Sequence, residues 1–364
     1  MVINLNKLSV FLISIGFFLS QFYFLPGGYP QFSHVFIVLA IAIFFYLNTS
    51  ISYKDSIFLI IFVFYVCFIN ISHSIYNGGD ISFIISTIYW VFNLILFLAL
   101  TGISFLNFKK LIFLFKYVLI FSLIMSVVIW FLGGGRYDFS PRYNGYFNDP
   151  NQMAFWVLCS CAIGLILFNN LKLKIIIYSL SFFLILLTMS RSATIGFLIL
   201  TLGLIFQHKS RLDLKIIFSL ISLLVASTSF FILLKFGFLD SIITRFSEGV
   251  ESNDQQASSR GFNALIDYPE HLMFGAGQGA YYLFSPTNHE IHSTWLGILY
   301  YYGVIGFFLF VSFLYNIFKR LNFAEKIIFL GPMFYGFFTY NARTLAFWFL
   351  VAVFLLYSKY REQL

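Results

Sequence analysis

The stretch LIFLFKYVLIFSLIMSVVIWFL, residues 111–132, carries a single charge, Lys116. At 1.5 Å of rise per residue, a helix of this length reaches about 33 Å, enough to cross roughly 30 Å of bilayer hydrocarbon. Working outward from it, the same texture recurs at 8–25, 32–48, 56–73, 81–101 and 151–169. It continues at 174–190, 192–207, 214–236, 292–318, 326–341 and 343–358. The reading is an all-α polytopic membrane protein of about twelve spans, one integral membrane domain over residues 1–364. Composition agrees, because 60% of the residues are hydrophobic and 10% charged. A soluble globule carries about 45–50% and about 25%. The first run follows Lys7, but no small-x-small cleavage pattern comes after it and a second run begins almost at once. It reads as a retained first helix.

The formal charge of +8 invites a nucleic-acid reading, which the placement of the charges excludes. With the N-terminus in the cytoplasm, 15 of the 22 basic residues and four acidic ones fall on the inner face, a net +11. The outer face holds seven basic and ten acidic residues, a net −3. That asymmetry obeys the positive-inside rule and puts both termini in the cytoplasm. Twelve of the 13 lysines lie inside, whereas six of the seven outer cations are arginine: Arg136, Arg142, Arg191, Arg245, Arg260 and Arg343. The planar guanidinium suits bidentate contact with phosphate or carboxylate, so the outer face reads as anion-binding.

Most breaks between spans are a few residues long. Two outer loops are not: 133–151, GGGRYDFSPRYNGYFNDPN, and 237–291, the longest polar segment. Within the second, SSRGFNALI (258–266) predicts a short amphipathic helix with a serine N-cap and Phe262, Leu265 and Ile266 on one face. It would lie at the outer interface and hold Arg260 at headgroup depth. GAGQG at 275–279 follows no strand and reads as a glycine turn rather than a nucleotide loop. Cys67, Cys159 and Cys161 sit inside apolar runs and read as buried small residues. Walker and HExxH motifs are absent from the sequence, and His289 with His292 at i, i+3 lacks a third ligand, so neither a metal nor another cofactor is expected.

Two sites carry chemistry. TMSRSAT (188–194) interrupts some thirty apolar residues and puts Arg191 in a tight outer hairpin or just inside the membrane, where a charge marks a functional site. NHEIHSTW (288–295) marks where the long loop re-enters the membrane, and His292 opens the apolar helix that follows. An imidazole there is suited to general-base work near neutral pH.

His292-Ser293, nine residues, then Gly303-Val304-Ile305-Gly306 resembles the His-[Asn/Ser/Gln]-x9-Gly-x-x-[Gly/Thr/Tyr] pattern of the O-antigen polymerase (Wzy-type) and ligase superfamily. Asp149-Pro150-Asn151-Gln152, Ser190-Arg191-Ser192, Arg260 and the 275–279 glycines follow the same order. The resemblance covers about residues 140–310 and implies a GT-C-like glycosyltransferase of the bacterial inner membrane, active on its periplasmic face. It implies undecaprenyl-diphosphate-linked oligosaccharide as substrate, with Arg191 and Arg260 gripping the diphosphate and His292 orienting or deprotonating the acceptor hydroxyl. The transfer would be inverting and metal-independent, and a chain-length regulator protein and membrane lipid would be partners. Arg136, Arg142, Tyr143, Asp149, Asn151, His289, Glu290 and Arg343 are the further candidates for substrate contact. A polymerase is the favoured reading. Ser293, where many ligases have Asn, weakens the ligase alternative, and a lipid-linked oligosaccharide flippase is a third reading.

Overall fold

A computed structural model describes residues 5–25, 29–47, 53–207, 260–284 and 290–363. Among them there are thirteen α-helices and no strand. In chain order these are α1 (Leu5–Leu19), α2 (Phe32–Tyr46), α3 (Tyr53–Tyr76), α4 (Ile81–Thr101), α5 (Phe105–Phe131), α6 (Pro150–Leu167) and α7 (Leu171–Thr188). Then come α8 (Arg191–Gln207), the short turns α9 (Ala264–Asp267) and α10 (His271–Phe274), α11 (Thr294–Phe318), α12 (Phe323–Tyr335) and α13 (Leu345–Tyr360). Eleven of the predicted spans coincide with described helices; the one at 214–236 lies outside the described residues. Six of the helices (α3 to α7, and α11) are long and apolar enough to cross a bilayer unaided, and α1, α2, α8 and α13 are shorter apolar helices.

The centre of the bundle is α6 and α13. Every residue from Met153 to Leu167 and from Leu345 to Leu356 is buried. Both helices are apolar all round, as a helix enclosed by protein must be. α13 packs on α6 and α4, while α6 also meets α7, α8 and α12. Trp348 of α13 anchors an aromatic cluster with Trp90 and Phe97 of α4 and Phe313 of α11, at ring separations of 6.2–6.3 Å. In lipid, helices gain little from apolarity alone and rely on close packing. Gly196 and Gly331 supply it between α8 and α12: a Cβ at Gly331 would lie 2.8 Å from the Gly196 carbonyl oxygen.

Ion pairs tie separate segments of the chain together. Arg320 at the end of α11 pairs with Asp55 in the first turn of α3 at 2.5 Å, and Arg361 pairs with Glu325 at 3.0 Å. All four residues belong to the inner set. Arg343 and Glu290, both of the outer set, pair with each other.

The long loop departs from expectation. The helical turn α9 begins only at Ala264, with Asn263 rather than a serine at its N-cap, and Ser258 and Ser259 lie outside the described residues. Phe262 and Leu265 do pack against the core, but Ile266 is 79% exposed. Beyond α9 the chain dips between α3, α4 and α11 instead of lying across the outer surface. The Tyr65 hydroxyl, eleven residues from the end of α3, donates to the Phe274 carbonyl at 2.8 Å.

Candidate active site

Arg191 is placed by a two-residue hairpin. α7 ends at Thr188, Met189 takes a left-handed conformation (φ 48°), Ser190 follows, and α8 starts at Arg191. The chain reverses at once, so the guanidinium stands on the first turn of α8. The positive end of the helix dipole disfavours a cation at that position. Among the described residues no carboxylate pairs with it. Two like-signed sources, the side chain and the helix end, therefore converge where an anion would relieve both.

Hydrogen bonds tie neighbouring helix ends around this hairpin. The Ser190 hydroxyl lies 3.2 Å from the Tyr335 hydroxyl and 3.4 Å from Asn151 Oδ1. Tyr335 in turn donates to the Asn151 carbonyl at 3.1 Å. Asn151 sits in the first turn of α6, whose N-cap Asp149 accepts from the Asn151 N–H. Arg142 donates to Asn151 Oδ1 at 2.9 Å and to the Thr188 carbonyl at 3.0 Å, placing a cation on the C-terminal carbonyls of α7. The N-terminal ends of α6 and α8 and the C-terminal ends of α7 and α12 thus form one hydrogen-bonded collar.

The collar continues to the histidine. Next to Tyr335, the Gly336 carbonyl accepts from the Thr294 N–H at 2.7 Å, and Thr294 is the first residue of α11. Ser293 is the N-cap of that helix and its hydroxyl accepts from Leu296 N–H at 3.2 Å. His292, just outside the cap, is exposed, and its N–H donates to the Arg260 carbonyl at 3.0 Å. The backbones of Arg260 and His292 therefore meet, and the bonds Thr294–Gly336 and Tyr335–Ser190 lead from them to the residue before Arg191.

Below His292, α11 is broken. Gly303 has φ 63° and ψ −176°, which interrupts the helical ladder about 14 Å from its N-terminal end. The carbonyls of Tyr300 and Tyr301 accept instead from Ala276 N–H at 3.0 Å and Gly277 N–H at 2.9 Å. Only residues without a Cβ fit this approach: one at Gly303 would lie 2.3 Å from the Met273 carbonyl oxygen, and one at Gly275 2.4 Å from that of Tyr301. The glycines of the His292 motif and of 275–279 thus interlock.

Gln278 is the hub that the sequence reading missed. It is fully buried. Its Oε1 accepts from Trp90 Nε1 at 2.9 Å and from the hydroxyls of Tyr302 and Tyr340 at 2.8 and 3.2 Å. Its N–H donates to Asn70 Oδ1 at 2.9 Å, and its Nε2 to Glu290 Oε1 at 3.1 Å. Glu290 also accepts from the Tyr281 hydroxyl at 3.0 Å and pairs with Arg343, whose guanidinium lies 5.3 Å over the Tyr340 ring. Burial and the Glu290 charge push the Tyr281 phenol well above its ordinary range, so it stays a donor. The available signal was Asn70, an amide inside an apolar run, which needs a buried partner.

The remaining candidates divide. Arg136 donates to Asn148 Oδ1 at 2.7 Å and to the Tyr23 carbonyl at 2.8 Å, tying the 133–151 loop to the end of α1. Tyr143 is buried and its N–H donates to the Leu187 carbonyl at 3.0 Å. Arg142 belongs to the collar with Asp149 and Asn151, and His289 lies outside the described residues.

Residues 176–311 match the family model described as O-antigen ligase. The match contains Arg191, Arg260, His292 and both glycine motifs, and it agrees with the superfamily to which the His292 pattern pointed. No curated protein matches the chain.

Proposed function

Starting from a multi-pass membrane protein whose residues 176–311 carry an O-antigen ligase-type domain, that of an O-antigen polymerase or ligase type of enzyme, we propose that it is an O-antigen polymerase. It transfers a growing glycan from undecaprenyl diphosphate to a sugar hydroxyl of a new undecaprenyl-diphosphate-linked repeat unit at the periplasmic face of the inner membrane. The observation that carries this reading is Arg191, a cation on the positive end of α8 with no carboxylate partner among the described residues. A diphosphate is the substrate group that such a position suits.

In this reading Arg191 and Arg260 hold the donor diphosphate, and the guanidinium groups and the α8 dipole stabilise charge growing on its leaving oxygen. His292 accepts the proton of the acceptor hydroxyl as that oxygen bonds to the anomeric carbon. The bond from that carbon to the phosphate oxygen breaks, and its electron pair leaves with the diphosphate. A single displacement inverts the anomeric configuration. Arg343, held by Glu290 yet 39% exposed, keeps further N–H groups for the saccharide. A chain-length regulator is the expected protein partner.

Polymerase rather than ligase is supported by Ser293 and by the Phe-, Ile-, Tyr-, Lys- and Asn-rich composition. The family description favours the ligase as the second reading. The test is His292→Ala in a strain lacking its own copy, with protein level and insertion matched to wild type. Core carrying one repeat unit, where wild type gives a ladder, is the polymerase outcome. Bare core with accumulated lipid-linked polymer is the ligase outcome. A normal ladder removes His292 from the chemistry.

A further inference from the structure

At the opposite end of the bundle from His292, a polar cavity of about 390 Å³ opens among α6, α7, α8, α12 and α13. Its polar lining is Asn169, Lys174, Gln207, Asn322, Glu325 and Tyr357. Lys174 is 8% exposed, and its Nζ donates to Gln207 Oε1 at 2.7 Å. The orientation of that amide is fixed, since Gln207 Nε2 faces the Leu165 carbonyl at 3.4 Å. Among the described residues no carboxylate lies within ion-pair distance of Lys174. A buried ammonium met by one neutral amide lacks the counter-charge that buried charges ordinarily have.

Glu325 does not provide it. Its carboxylate is bound by Arg361 at 3.0 Å and by the N–H and side-chain amide of Asn322 at 2.9 and 2.7 Å. Among the described residues, Lys174, Arg361 and Glu325 therefore leave one net positive charge at a cavity with room for a small anion. The mouth sits at the lysine-rich face, where anionic lipid headgroups concentrate near a cytoplasmic leaflet. Phe206 and Phe323 line the same cavity beside its polar groups.

We propose that this cavity binds a phosphate group, with the Lys174 ammonium as its cation and the amides of Gln207, Asn169 and Asn322 as further donors. Two sources share that chemistry: the headgroup of an anionic phospholipid and free inorganic phosphate. The site lies away from the transfer chemistry, so it stands or falls independently of the polymerase reading.

The test uses the full-length protein in detergent, with phosphatidylglycerol, phosphatidylcholine or inorganic phosphate added. Bound lipid is read by native mass spectrometry and stability by thermal melting. Wild type is expected to retain phosphatidylglycerol over phosphatidylcholine by about tenfold and to melt higher with it. A matching rise with inorganic phosphate would make the free ion the ligand. Gln207→Glu places an internal carboxylate against Lys174 without removing the lysine. It is expected to melt at or above the wild-type temperature and to lose the response to both anionic probes. Lys174→Gln should lose the response as well. A Gln207→Glu protein that binds the anionic probes as wild type does, or a wild type that responds to neither, overturns the proposal.

Discussion

The N–H of His292 donates to the carbonyl of Arg260 at 3.0 Å, a backbone bond joining the long loop to the threshold of α11. Because the contact is between main chains, replacing either side chain leaves it intact. Arg260→Lys keeps the charge and loses the planar fork, so glycan-ladder output should fall by at least tenfold at matched protein level. An unchanged ladder would remove bidentate phosphate binding from the role of Arg260.

Gly303 bears two separable constraints. An alanine there carries the cost of a left-handed residue, about 1–2 kcal/mol, and also meets the Met273 carbonyl at 2.3 Å. Gly78 has a similar φ of 71° with nothing within 4 Å of a Cβ. Gly78→Ala should therefore lower thermal stability by the conformational cost alone. Gly303→Ala should lower it further and abolish the ladder, because the 273–277 segment must move off α11. Equal losses in the two variants would show that the interlock contributes nothing.

Gln278→Leu strips three donors, on Trp90, Tyr302 and Tyr340, of their shared acceptor and frees Glu290 from one partner. Each orphaned buried group costs about 1–3 kcal/mol. The sum threatens a protein of ordinary stability, so reduced accumulation in the membrane is expected, with a lower melting temperature in what remains. Melting at the wild-type temperature would mean that water replaces the amide.

His271, outside the spans, is held below its ordinary pKa by desolvation, against a raising contribution from Glu270 and a further lowering one from His73. Its ring lies 4.0 Å from Glu270 and packs near His73 and Tyr300. Because the folded value is depressed, the unfolded chain takes up a proton first as pH falls. This group's share of stability is thus present above the unfolded value of about 6.5 and lost on acidification below it. Melting curves at pH 7.5 and 5.5 should show a smaller acid-induced drop in His271→Gln than in wild type.

The sequence made the membrane helices legible, because a run such as 111–132 admits no other structure in lipid. Arg191 was also legible: a charge between two apolar runs has few places to go, and the tight hairpin is where it lies. The path of 260–284 was not. Polar composition says that a segment avoids lipid, but not whether it lies above the bundle or dips into it against Asn70 and Trp90. The same limit applies to arginine. Arg136 and Arg142 are candidates for saccharide contact because their fork suits anions; the fork suits backbone carbonyls and amides too, and the structure uses part of each for both, which the sequence does not tell.

Arg142 and Arg191 therefore separate by experiment, although they lie near the same hairpin. Arg142→Ala removes bonds to Asn151 and Thr188, and with them the bolt between the 133–151 loop and the end of α7. Charge-assisted bonds contribute about 1.5–3 kcal/mol each, so its melting temperature should fall by several degrees, and activity should fall with it. Arg191→Ala breaks no ion pair among the described residues and relieves an unfavourable meeting of cation and helix dipole. It should melt at or slightly above the wild-type temperature and yet produce no ladder. If Arg191→Ala instead unfolds the protein while Arg142→Ala leaves it intact, Arg191 is a structural anchor and the diphosphate lies elsewhere.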